Sequence, residues 1–91
     1  MTPTDQALAA LSGWPNAGPI HSHPGAWAAR YDDGASMRVL LRFDPDRVWR
    51  CHVRSGELSL GFGVATTPEA ALEHATTAAR DRLKVLASLL A

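Results

Sequence analysis

The sequence predicts one α+β domain: a four-stranded antiparallel β-meander, a long C-terminal helix across one face, and a short N-terminal helix beside it. Three observations predict this fold. Residues 27–64 alternate apolar and polar side chains with period two, interrupted by three turn signals. Residues 68–90 change to helical spacing, with Leu72, Ala75, Ala79, Leu83, Leu86 and Leu90 on one stripe. The chain has 91 residues, enough for one hydrophobic core that buries roughly 60–65% of the unfolded surface.

Thr2-Pro3-Thr4-Asp5 is a helix start. Thr2 can cap it, Pro3 suits the first helical position, and Asp5 sits at the positive end of the helix dipole. Leu8 and Leu11 supply a narrow apolar stripe flanked by Ala7 and Ala10, Gly13 is the stop, and Trp14 can pack back over the last turn. Residues 15–25 hold three prolines and two glycines and read as a loop without regular structure. Trp14 and Ile20 are its expected anchors.

Strands are expected at 26–31, 37–43, 48–54 and 57–64. Asp32-Asp33-Gly34, Asp44-Pro45-Asp46 and Ser55-Gly56 mark the connections. These turns set Ala29 opposite Val39, Tyr31 opposite Met37, Leu41 opposite Cys51 and Phe43 opposite Trp49. A turn at Ser55-Gly56 sets Arg54 opposite Glu57, Val53 opposite Leu58, Cys51 opposite Leu60 and Trp49 opposite Phe62. In this register one face collects Trp27, Tyr31, Met37, Val39, Leu41, Phe43, Trp49, Cys51, Val53, Leu58, Leu60 and Phe62. The other collects Arg30, Arg38, Arg42, Arg50, His52 and Arg54. A one-residue slip reverses every side chain, so agreement among three hairpins supports the assignment. Gly61 and Gly63 fall on the arginine face and signal a bulge, a bend or close approach by another backbone.

The last helix starts at Thr66-Thr67-Pro68-Glu69, with Thr67 as cap and Pro68 at the first position, or with Thr66 and Glu69 as a capping box. Ala71, Ala78, Val85 and Leu89 widen its stripe. Twenty-three helical residues span ~35 Å, whereas seven-residue strands span ~23 Å. The leucine-rich end, with Val85, Leu86, Leu89 and Leu90, therefore overhangs the sheet. Its cover is expected from the N-terminal helix or from a second copy of the chain.

Nine basic residues balance nine acidic ones, so net charge names no partner. Eight of the nine are arginine, which fits planar ion pairing or a GC-rich genome. In the expected register Arg42 faces Arg50, and Arg38 faces both Arg54 and Arg30. Like charges opposite one another cost a few tenths of a kcal/mol each. Such a face is relieved by an acidic protein surface or a nucleic-acid backbone, or by the turn residues Asp44 and Asp46. With Trp27, Tyr31, Trp49 and Phe62 all assigned to the core, it lacks the aromatic rings on which bases stack.

The chemistry of an enzyme is absent from the motifs. Cys51 reads as a core residue, the serines lack a Gly-x-Ser-x-Gly context, and Gly61-Phe62-Gly63 lacks a third glycine. His21, His23, His52 and His74 form no metal-ligand pattern, so neither metal nor cofactor is expected. The single cysteine excludes an internal disulfide and fits a reducing cytosol. No secretory leader or membrane-length apolar run is seen.

The stretch Leu60-Gly61-Phe62-Gly63-Val64-Ala65-Thr66-Thr67-Pro68-Glu69-Ala70-Ala71-Leu72 resembles two families. Double-stranded-RNA-binding domains end with a Gly-x-Gly strand running into an alanine-rich helix. HicB-like antitoxins end their sheet with a Thr-x-Glu-x-Ala-Leu helix start. Both resemblances cover the last third of the chain and imply a helix–sheet–helix architecture. The RNA-binding family carries lysines at that helix start, where Thr66-Thr67-Pro68-Glu69 stands here, so no residue of that lysine site carries over. In size and lack of catalytic motifs the chain is also similar to phage-encoded inhibitor proteins, anti-CRISPR proteins among them. The expected function is a non-catalytic binding module. Its arginine face docks an acidic protein surface or nucleic acid; alternatively, its C-terminal helix mediates homodimerisation or inhibition of a partner protein.

Overall fold

A computed structural model describes residues 2–20, 23, 25–30 and 37–90. The element order is α1 (Pro3–Ala10), β1 (Gly18–Pro19), β2 (Ala26–Arg30), β3 (Met37–Phe43), β4 (Trp49–Ser55), β5 (Leu58–Ala65) and α2 (Pro68–Leu90). The strands form one antiparallel sheet in the order β1-β2-β3-β4-β5. The fold class is the expected α+β, but the sheet has five strands rather than four. The extra strand lies in the segment read as irregular loop: Gly18 pairs with Ala28 and Pro19 with Trp27. A proline is tolerated there because β1 is an edge, where a missing N–H breaks no ladder bond. The expected Tyr31–Met37 pair, the 32–36 turn and His21 lie outside the described residues.

Helix caps form as the local sequence predicts. In α1, the Asp5 backbone N–H donates to Thr2 Oγ1 (3.1 Å) and Asp5 Oδ2 accepts from the Thr2 backbone N–H (3.3 Å), a reciprocal capping box. At α2 the Ala70 N–H donates to Thr67 Oγ1, with Pro68 as first helical residue. The face of α1 differs from expectation. Ala7 and Leu11 are fully buried, whereas Leu8 is exposed. Residues four apart share one helical face, and here that face passes through Ala7 and Leu11.

The core lies between α2 and the inner face of the sheet. Trp49 stacks at a tilt on Trp27 (5.7 Å between centroids) and on Phe43 (4.8 Å). Val39, Leu41, Cys51, Val53 and Leu60 complete the sheet side. Ala71, Ala75 and Ala79 supply the helix side. The β2–β3 and β3–β4 registers match the expected pairs, including Ala29 with Val39, Leu41 with Cys51 and Phe43 with Trp49.

The β4–β5 register does not. Ser55 pairs with Leu58, so the connection is Gly56-Glu57 rather than Ser55-Gly56, with Gly56 at φ 58°, where glycine is favoured in a two-residue hairpin. Arg54 pairs with Ser59, not Glu57. The register then shifts between Val53 and Arg54: Val53 faces Gly61, Cys51 faces Gly63 and Trp49 faces Ala65. One residue of β5 is extra, a β-bulge, and beyond it every side chain changes face. Leu60 and Gly61 are both buried. Phe62, expected in the core, is 53% exposed, and Leu58 is exposed at the turn.

Close packing explains the reversal. A Cβ on Gly61 would meet the carbonyl oxygen of Ala75 and come within 2.6 Å of the Ala79 nitrogen. One on Gly63 would meet the Ala71 carbonyl oxygen and come within 2.7 Å of the Ala75 nitrogen. The backbones of α2 and β5 approach too closely for any side chain between them.

The leucine-rich end of α2 overhangs as the length comparison predicts, and the molecule measures 46 × 25 × 21 Å. α1 does not cover it. α1 and Trp14 line a groove with Glu69, Leu72, Glu73, Thr76 and Arg80, in the first part of α2. Leu83, Val85, Leu89 and Leu90 stay exposed, as does Ala78, because α1 has only eight residues and ends beside the helix start.

Gly61→Ala is expected to cost about 1–3 kcal/mol by overpacking. At roughly 4–8 °C of Tm per kcal/mol for a domain of this size, thermal denaturation resolves it. Gly13→Ala, where an added Cβ meets nothing within 4 Å, serves as the neutral comparison.

Candidate binding site on the open sheet face

The outer face of the sheet is uncovered by either helix and carries all six sequence-predicted binding residues. Cross-strand pairing arranges it in three rows. Arg30, Arg38, Arg54 and Ser59 form one; Ala28, Leu40, His52 and Phe62 form the next; Ala26, Arg42, Arg50 and Val64 form the third. Neighbouring strands lie ~4.8 Å apart and successive rows ~6.7 Å apart.

The third row is neutralised locally. Asp44-Pro45-Asp46 turns the chain between β3 and β4, held by Asp44 N–H to Val48 O (3.1 Å) and by Val48 N–H to Asp46 Oδ1 (3.2 Å). The turn aims both carboxylates back over the sheet. Arg42 Nε lies 2.7 Å from Asp44 Oδ1. Arg50 bonds Asp44 through Nη1 and Asp46 through Nη2, the latter at 3.0 Å. The fork of Arg50 thus bridges two acids. Its hydrogen bonds to Asp46 and Asp44 raise the arginine's pKa, and the Arg50 bond holds the Asp46 carboxyl below its usual range.

The first row has no such partner. Among the described residues no acid pairs with Arg30, Arg38 or Arg54, and Arg54 Nε is buried without a hydrogen bond. Glu57, expected opposite Arg54, sits instead in the hairpin turn.

The middle row carries a ring pair missed by sequence reasoning. His52 and Phe62 meet edge to face, 5.9 Å between centroids at 84°. His52 Nε2 lies 2.5 Å from Ser59 Oγ. Burial, and secondarily the charge of Arg54, push the His52 pKa below 6.5. A serine–histidine contact is the first half of a hydrolytic arrangement. Among the described residues no carboxylate orients this ring, and the pair lies on a sheet face rather than in a cleft. Phe62 and Val64 are both exposed here. The alternation Leu58-x-Leu60-x-Phe62 hid this placement; the flanking Gly61 and Gly63 were its signal.

Cys51 is buried in the core, and burial pushes its thiol up to about 12, which leaves it protonated and unreactive at neutral pH. Among the described residues no three His, Cys, Asp or Glu side chains converge as a metal site, and no helix is long and apolar enough to cross a membrane. Comparison of the chain with protein-family models, curated proteins and solved structures finds no match.

The depressed His52 pKa has a signed consequence. The unfolded imidazole takes up its proton first as pH falls below 6.5, so the stability from the neutral folded ring is present above that pH. It is lost as pH falls through the lower folded value. An imidazole NMR titration should place the His52 midpoint below 6.5, and Arg54→Gln should raise it.

Proposed function

We propose that the protein is a non-catalytic binding module whose open sheet face docks an anionic partner through Arg30, Arg38 and Arg54. The observation that carries this reading is the contrast between two arginine rows on one face. Arg42 and Arg50 are satisfied by Asp44 and Asp46. The other three stand in register on adjacent strands with no acid among the described residues, one with a buried bare nitrogen. Stacking like charges across strands is unfavourable for folding, and an incoming anion converts it into attraction. Arg42, Arg50 and His52 border the surface, with Arg42 and Arg50 held in place by the turn.

A second reading is favoured by the overhang of α2. Val85, Leu89 and Leu90 are exposed, Leu89 to 76% and Leu90 to 87%, and Leu86 lies half-buried between them. A twofold pairing of this segment buries the same stripe on both copies, without involving the arginine face.

For the first reading, Arg38→Glu with Arg54→Glu should abolish retention on immobilised heparin while the circular dichroism spectrum keeps the parent's folded form. Arg80→Glu with Arg82→Glu, an equal charge change on α2, should retain it. Neutralising three phosphates of a single strand predicts a log–log salt slope of about −2. Equal retention by both double variants would contradict the reading. For the second, light scattering at high concentration should report a dimer, and Leu86→Glu with Leu89→Glu a monomer; a monomeric parent protein would exclude it.

A further inference from the structure

We infer that the anion docked on the open face is a single-stranded nucleic acid, one base of which stacks on Phe62. This rests on the anion-docking reading above and adds the identity of the ligand. The β5 bulge and the glycines under α2 turn Phe62 outward on the edge strand β5, in the middle row of the face. There its ring is 53% exposed and fixed edge to face against His52. Val64 and, beyond His52, Leu40 add apolar surface to the face, and the row of Arg30, Arg38 and Arg54 runs along one side.

This is the layout that a nucleotide strand matches: a π-face for a base, with guanidinium groups one row away for the adjoining phosphates. A carboxylate-rich protein surface satisfies the arginines but has no use for a half-exposed ring beside them. A duplex fits poorly for a different reason. Five strands span about 19 Å at ~4.8 Å spacing, wider than the ~12 Å major groove, and paired bases are already stacked on one another. Arg54 lies in the row beside the ring, half-buried and with its Nε unsatisfied, where its guanidinium charge attracts an adjoining phosphate.

The test uses the full chain and a short fluorescein-labelled oligothymidylate, its oligouridylate counterpart, a hairpin duplex and polyglutamate, each followed by anisotropy. Phe62→Ala is expected to weaken strand binding by about 5- to 150-fold, the usual range for one stacked base, and to leave polyglutamate binding unchanged. Phe62→Trp should restore it. Phe62→Leu keeps the apolar bulk and should weaken binding as alanine does, which separates stacking from folding. Strand affinity unchanged in the alanine and leucine variants, or a duplex bound as tightly as the strand, overturns the inference. Binding of polyglutamate alone overturns it in favour of an acidic protein partner. Failure of the underlying docking reading is distinct: Arg38→Glu with Arg54→Glu would then bind every probe as the parent protein does.

Discussion

The close approach of two backbones governs this molecule. α2 lies on β5 with Ala71, Ala75 and Ala79 against Gly61 and Gly63, and an added Cβ at either glycine would collide with helix backbone. Helices usually hold a sheet by interleaving large side chains; here the contact is backbone on backbone, and dispersion over short distances replaces side-chain volume. The large residues are displaced elsewhere. Trp27, Phe43 and Trp49 fill the inner face of β2, β3 and β4. The same approach requires both glycines to point inward. Only a bulge reconciles that with an inward Leu60, and Phe62 is consequently turned out.

Electrostatics then divides the outer face. An arginine on a strand can be neutralised by a turn only if the turn's acids fold back within reach. Asp44 and Asp46 follow directly on β3 and precede β4, so they reach Arg42 and Arg50, the residues nearest that end. Arg38 and Arg54 lie four residues further along their strands, ~13 Å away, beyond any carboxylate of that turn. One turn therefore satisfies Arg42 and Arg50 and leaves Arg30, Arg38 and Arg54 without an acid among the described residues.

How much of this was legible in the sequence depended on whether backbone or side chain decided the outcome. The caps at Thr2 and Thr67, the register of β3 on β4, and the overhang of α2 follow from local chemistry and strict alternation, and were readable. The Asp44–Arg50 pairing was legible as an alternative, because acids in a tight turn flank the strands they join. β5 was misread because Leu58, Leu60 and Phe62 alternate in phase, and the bulge that breaks the phase leaves no apolar signature. Gly61 and Gly63 carry the information: they signal a bulge or close approach, but strict alternation puts them on the wrong face. β1 escaped notice because two residues with a proline satisfy no strand pattern; its pairing comes from β2. The absence of aromatic rings from the arginine face, an argument against nucleic acid at the level of sequence, disappears with the same correction.

The energies rank Arg30, Arg38 and Arg54. An exposed like-charge pair across strands costs a few tenths of a kcal/mol, because solvent screens it. A buried donor without an acceptor costs about 1–3 kcal/mol, a noticeable share of the roughly 5–15 kcal/mol that holds a domain together. Arg30 and Arg38 are exposed and belong to the first class; Arg54, half-buried with its Nε shielded, belongs to the second. It pairs with Ser59 beside the bulge and lies one row from the His52–Phe62 pair. A ligand on the open face meets Arg54 through its charge rather than through the shielded Nε. In the proposed docking, the exposed Arg30 and Arg38 would act through long-range attraction, which salt weakens, and the half-buried Arg54 through a charge that salt screens less.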